Sequence, residues 1–149
     1  MKTLVIVFHP NYSESVRNKL LVTFLNKNEN VTLRIIQKDF DVQTEREILS
    51  QFQRVVFQYP VYWWALPAIG KQYLEAVIQP KEIISNKEFK IIQTVGGAKE
   101  IYDARDIQVM KTIWEVITEY CGAKLIQQTI FYADDSTQVA EKIANEIAK

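Results

Sequence analysis

The chain has 149 residues, 48% hydrophobic and 24% charged, which is the size of one ordinary domain with a real core and excludes a disordered tract. Lys and Arg together number 18 against 18 Asp and Glu, with no basic run, which disfavours nucleic acid and anionic membrane surfaces as partners and an acidic electron carrier as the function class. The lone Cys121 closes no internal disulfide, no apolar run approaches the roughly 20 residues of a membrane span, and Met1-Lys2-Thr3 leads into a strand with no small-residue cleavage site, so a soluble cytoplasmic domain is expected.

Residues 3–8 form a continuous apolar run, as in a central parallel strand covered on both faces. The run stops at His9-Pro10-Asn11-Tyr12, and Ser13 or Ser15 then caps a helix expected to turn Val16, Leu20, Leu21, Phe24 and Leu25 inward. Asn28-Glu29-Asn30 reads as a polar turn, and residues 31–36 as a second strand that alternates enough to lie near a sheet edge. Thr44, with Glu47 three residues on, fits a capping box opening the next helix.

Residues 54–59 make a third strand that runs into Pro60-Val61-Tyr62-Trp63-Trp64-Ala65-Leu66-Pro67. One proline ends the strand, and the other stands where the helix over 68–78 begins, with Ile69, Tyr73, Val77 and Ile78 at helical spacing and Gln79-Pro80 as its stop. Three consecutive aromatics in a strand-to-helix loop are unusual, because such loops run over the surface. Two readings stay open: the rings face a flat ligand, or they plug the core or a dimer interface.

A fourth strand over 89–95 ends at Gly96-Gly97. A helix over 107–120 carries Met110, Ile113, Trp114 and Ile117 on one stripe and stops at Gly122. Residues 124–131 are the fifth strand, and Ser136 caps a last helix bearing Val139, Ile143 and Ile147. Strands alternating with helices predict a single α/β domain over 1–149 with a parallel, doubly wound sheet; five strands suit the order 2-1-3-4-5, whose switch point lies between the first and third.

Ligands of such sheets sit outside the carboxyl ends of strands near the switch point. The segments there are 9–18, with an imidazole, hydroxyls, Arg17 and helix-start N–H groups suited to phosphate; 60–64, with rings and backbone amides; and 94–97, whose glycines let main chain approach a ligand. Together they describe a nucleotide-type cofactor. No Walker A, G-x-G-x-x-G or G-x-S-x-G pattern occurs, and one His and one Cys far apart offer no zinc site, so no metal is expected. Asp134-Asp135, ahead of the last helix, reads as capping, Cys121 as a small buried hydrophobe and Trp114 as core.

His9-Pro10-Asn11 with Ser15, Asn18 and Lys19, the segment from Tyr59-Pro60-Val61-Tyr62-Trp63-Trp64 through Ala65-Leu66-Pro67-Ala68, and Thr94-Val95-Gly96-Gly97 resemble, in this order and spacing, the flavodoxin-like NAD(P)H:quinone oxidoreductases. That family includes DT-diaphorase, modulators of drug activity and ancillary flavoproteins of potassium efflux. The resemblance implies a three-layer flavodoxin-like fold and a flavin held at its phosphates by His9, Ser15, Arg17 and Asn18. It puts Pro60, Val61, Tyr62, Trp63 and Trp64 along the ring, Thr94, Gly96 and Gly97 on the ring's other side, and Tyr102 at the family's active-site tyrosine. It also implies NAD(P)H as co-substrate, a quinone-like acceptor taking its turn on the same flavin face, and a homodimer.

Two departures accompany it. The family's histidine is Gln108 here, and its long excursion before the fourth strand is replaced by a direct crossing over 79–88. The C-terminal extension of some members is also missing. A more open pocket follows, which favours FMN over FAD. The alternative is a regulatory, non-catalytic module acting through a partner protein, such as a potassium-efflux or redox system. A one-electron flavodoxin is disfavoured, because its Thr- and Gly-rich phosphate loop is absent after the first strand.

Overall fold

The computed structural model describes residues 1–79, 81–105 and 107–149. Strands β1 (Thr3–Phe8), β2 (Val31–Ile36), β3 (Arg54–Pro60), β4 (Glu88–Thr94) and β5 (Lys124–Phe131) pair in parallel in the order β2-β1-β3-β4-β5. The helices among the described residues are α1 (Arg17–Leu25), α2 (Val42–Ser50), α3 (Ala68–Tyr73), α4 (Lys99–Asp103), α5 (Gln108–Tyr120) and α6 (Thr137–Ala148). This is the flavodoxin-like architecture expected from the sequence, with each strand boundary within one residue of its expected place.

The apolar runs divide by period 2 into two cores. On one face Leu4, Ile6, Phe8, Val55, Phe57, Tyr59, Phe89 and Ile91 meet α2, α3 and α5 through Leu49, Tyr73 and Trp114. On the other, Val5, Val7, Val56, Ile92 and Phe131 meet α1 and α6. The first core is aromatic: the Phe57 ring lies 5.1 Å from Phe8, 5.2 Å from Phe89 and 5.6 Å from Trp114, all edge-on. Edge strand β2 brings a charge inward as well: Arg34 Nε donates to Oε1 of the fully buried Glu45 at 2.9 Å, and the Tyr73 hydroxyl donates to Oε2 at 3.3 Å.

Several local expectations are corrected. Val16 is exposed, because it stands at the very start of α1, which turns Leu21, Val22 and Leu25 to the core. Ser15 rather than Ser13 supplies the cap, its Oγ accepting from Asn18 N–H at 3.3 Å. Asp41, not Thr44, caps α2, its carboxylate accepting from Thr44 N–H at 2.8 Å. Ile113 lies outside the α5 core stripe and is about half exposed. Asp134 does not cap α6, which Ser136 caps; its carboxylate instead accepts from Lys99 N–H at 2.9 Å, at the start of α4.

The helix expected over 68–78 is α-helical to Tyr73 and then widens into a π turn, Leu74–Ile78. Its carbonyls are gathered by Arg46 of α2, which donates to Ala76 O at 2.9 Å, Val77 O at 3.2 Å and Gln79 O at 2.6 Å. Pro80, expected to stop this helix, lies outside the described residues. Gly122 ends α5 as expected. At φ +67° it allows a Schellman closure, with Gly122 N–H on Glu119 O and Ala123 N–H on Thr118 O.

Candidate functional site at the carboxyl ends of the strands

The loops leaving β1, β3, β4 and β5 meet at one end of the sheet and are braced to one another. Val61 N–H continues the β3–β4 ladder onto Thr94 O at 2.8 Å, and Ala133 N–H reaches Gly97 O at 3.0 Å. Arg17 Nη1 donates to Asp135 O at 2.8 Å, while its guanidinium lies 4.7 Å from the Phe131 ring centroid. That guanidinium, expected at a phosphate, is thus drawn toward the loop after β5.

The segment after β3 is the least ordinary backbone in the chain. Tyr62 and Ala65 exchange both main-chain hydrogen bonds, at 3.0 and 3.1 Å, closing a two-residue hairpin loop. Its central residues, Trp63 and Trp64, both have positive φ, +50° and +64°, as in a type I′ turn. Asn and Gly fill such positions because the left-handed region costs other residues roughly 1–2 kcal/mol each. Here two tryptophans bear that cost, and Trp63 is 96% exposed. Packing therefore does not explain the strain at Trp63. Among the described residues, the Trp63 and Trp64 N–H groups take no hydrogen bond.

On one side of this turn lies His9, buried at the end of β1. Its Nδ1 accepts from Asn11 N–H at 3.1 Å, so the neutral ring carries its proton on Nε2. Burial holds its pKa below the ordinary 6.5 and keeps it neutral. The Tyr12 and Tyr62 rings stand edge-on to it at 6.3 and 6.4 Å. On the other side the Trp64 ring lies 5.7 Å from Tyr102 of α4, which in turn lies 5.9 Å from Tyr132. A Cβ on Gly97 would come within 2.9 Å of the Tyr102 ring, whereas one on Gly96 would meet nothing within 4 Å. Gly97 thus lets Tyr102 approach, and Gly96 leaves open main chain beside the turn.

Asn18 and Thr94 are buried beneath these loops and bonded to each other, Nδ2 to Oγ1 at 2.9 Å. Pro60 is buried, and Val61 spends its N–H in the sheet. The expected residues therefore fall into three groups: an imidazole and hydroxyl group (His9, Ser15, Tyr62), an aromatic and glycine group (Trp64, Gly96, Gly97, Tyr102), and a buried polar pair. Trp63 projects above all three. Sequence reading missed Tyr12, Tyr132 and Gln58; the first two were findable, since each lies just past a strand's carboxyl end.

The arrangement has the components a flavin nucleotide needs. These are flat rings, open main chain at Gly96, unbonded N–H groups on the aromatic turn, and a neutral imidazole and a hydroxyl at the start of α1. An open groove of about 520 Å³ lies elsewhere, between the π turn and α5, lined by Leu74, Ile78, Ile117, Tyr120 and Cys121 together with Lys71, Glu75, Gln79, Lys81 and Glu82. Among the described residues no three His, Cys, Asp or Glu side chains cluster to hold a metal ion, and no helix is long and apolar enough to cross a membrane.

Comparison with known proteins agrees with this fold. The family model described as a flavodoxin-like fold matches residues 1–149. The uncharacterized NAD(P)H oxidoreductase YrkL of Bacillus subtilis (strain 168) is 39% identical over 143 residues, covering 85% of this chain and 82% of that one. The structure of an NADPH-quinone reductase from P. pentosaceus superposes with a TM-score of 0.90 at 22% identity, over 100% of this chain and 98% of that one. The general stress protein 14 of Treponema denticola, solved in complex with FMN, gives 0.84 at 21% identity, over 99% and 95%.

Proposed function

The chain belongs to the flavodoxin-like fold family, and on that premise we propose that it is a flavin-dependent NAD(P)H oxidoreductase reducing a quinone or similar flat acceptor, acting as a single cytoplasmic domain. The observation that carries this reading is the Tyr62–Ala65 turn, where two tryptophans are held at positive φ, Trp63 almost wholly exposed and Trp64 beside Tyr102. Strain kept at an exposed aromatic surface points to a ligand. FMN is favoured over FAD by the short crossing over 79–88 and by the FMN complex of the Treponema denticola protein.

Flavin, when bound, supplies the hydride chemistry; the chain supplies binding, orientation and exclusion of water. His9 Nε2–H, the Ser15 hydroxyl and the N–H groups opening α1 hold the phosphate, with Arg17 adding positive charge from the β5 side. The rings and free N–H groups of Trp63 and Trp64 would line the flat ring's edge, and Gly96 would admit it from the other side, with Gly97 letting Tyr102 close in beside it. The Tyr102 hydroxyl donates a hydrogen bond to an acceptor oxygen, and Tyr102→Phe slows turnover while leaving the melting temperature in place.

The test is an absorbance spectrum of the purified protein after loading with FMN or FAD and desalting, then anaerobic addition of NADH or NADPH. Retained flavin bands that bleach with the dinucleotide support the reading, and a colourless protein that releases all flavin sinks it.

A homodimer is part of the proposal. Val109, Ile113, Val116 and Tyr120 on α5 are all exposed, and their 4-3-4 spacing is that of a helix-pairing seam, which a second copy buries by twofold symmetry. Light scattering should give a dimer, and Val116→Lys a monomer. The second reading, a regulatory module acting through a partner protein, is favoured by Gln108 standing where the resemblance expects histidine. A flavin-loaded protein that oxidises no NAD(P)H but co-purifies with a partner would establish it instead.

A further inference from the structure

Three residues from three separate elements form one buried hydrogen-bonded chain under the site. Gln58 of β3, wholly buried, donates through Nε2 to Asn18 O at 3.2 Å and to Asn18 Oδ1 at 3.1 Å. Asn18, 1% exposed in the first turn of α1, donates through Nδ2 to Thr94 Oγ1 at 2.9 Å. The Thr94 hydroxyl, at the end of β4, passes its own proton toward Tyr59 O at 3.5 Å. Each group has its orientation forced by the next. Turning the Gln58 amide would set its Oε1, buried and without a partner among the described residues, against both Asn18 oxygens. Turning Asn18 would set its NH₂ against the NH₂ of Gln58.

The chain ends where the loops begin. Asn18 lies just inside the α1 start with Ser15 and Arg17, and its N–H also ties down the Ser15 hydroxyl at 3.3 Å. Thr94 directly precedes Val95, Gly96 and Gly97, and its carbonyl takes the N–H of Val61 at the entrance to the aromatic turn. We propose that Asn18, Gln58 and Thr94 act as a single positioning unit, touching no ligand themselves, that sets the phosphate end of the site against the ring end. In a low-dielectric interior these shared hydrogen bonds favour one arrangement of the three side chains, so a change at either end is felt at the other. This rests on the flavin reading above and assigns Asn18 and Thr94 a role from beneath the site.

The coupling is read by crossing residue with ligand in calorimetric titrations of flavin-free protein with FMN and with riboflavin, which lacks the phosphate. Thr94→Val sits at the ring end, yet it should reduce the preference for FMN over riboflavin by about tenfold, the worth of one buried hydrogen bond. Asn18→Leu sits at the phosphate end, yet it should weaken riboflavin by a similar factor. Thr94→Ser, which keeps the hydroxyl, should retain the parent preference. Thermal melts of each protein accompany the titrations, and should Asn18→Leu fail to fold, the Thr94 pair decides alone. A Thr94→Val protein that weakens both flavins equally and keeps the FMN preference overturns the positioning unit while leaving the flavin reading intact. An unaltered protein that binds neither flavin overturns both.

Discussion

The carboxyl end of β3 passes from one aromatic cluster into another, and the two treat the same side chains in opposite ways. Below, Trp114 has no exposed surface, its Nε1 donates to the Tyr59 hydroxyl at 2.6 Å, and its backbone is regular helix. The Tyr59 hydroxyl also accepts from Gln93 Nε2 at 2.8 Å, and burial pushes its pKa up to about 12. Above, Trp63 is almost wholly exposed, takes no hydrogen bond on its N–H among the described residues, and sits at positive φ. The lower rings are held by the fold, and the upper ones are held out in spite of it. Residue type alone therefore does not assign a ring to core or site; backbone conformation and polar satisfaction do.

The sharpest way to break this contrast is to exchange the expected effects. Trp114→Ala should cost about 3–5 kcal/mol of stability in urea melts, because it opens a large cavity between α5 and β3. Trp63→Ala should leave the unfolding free energy from urea melts within about 0.5 kcal/mol of the parent, yet weaken FMN by about 1–3 kcal/mol in titrations. A Trp63→Ala protein that melts early would move this ring into the structural class. Trp63→Gly sharpens the point further. Relief of left-handed strain, less the entropy glycine gains when unfolded, should raise stability by up to about 1 kcal/mol while binding still falls.

The smallest effect is that of His9, at the border of the two clusters. Its folded pKa is depressed by burial from 6.5, so its contribution is complete above that value and is lost as pH falls from 6.5 through the folded pKa. Stability measured at pH 7.5 and at pH 5 should drop more for the parent than for His9→Asn. The chain has one histidine, so the difference belongs to it.

Much of this was legible beforehand. The strands were, because runs such as Leu4-Val5-Ile6-Val7-Phe8 feed two cores by simple alternation and leave no other arrangement of their burial. The site loops were, because a parallel sheet fixes where ligands sit. What was not legible depends on partners distant in sequence. The π turn answers to Arg46, some thirty residues earlier. Asp134 caps α4 rather than the helix it precedes, because the fold brings Lys99 to it. Asn18 reads from the sequence as a ligand-facing amide, and only the fold shows its Nδ2 on Thr94 and its Oδ1 on Gln58. The left-handed Trp63-Trp64 pair was hidden for a different reason: local propensity argues against it, and only the Tyr62–Ala65 closure imposes it.

The separation of Trp63 and Trp64 from Trp114 also gives the molecule two kinds of built-in optical reporter. An indole in water emits at longer wavelength and is open to collisional quenchers such as iodide, whereas a buried, hydrogen-bonded indole emits at shorter wavelength and is shielded. With Trp63 and Trp64 at the rim and Trp114 in the core, one emission spectrum carries both signals, a red component that reports on whatever settles over the turn and a blue one that reports on the fold. A titration that extinguishes only the first, and a denaturant ramp that shifts the second, can be followed in the same cuvette without attaching a label.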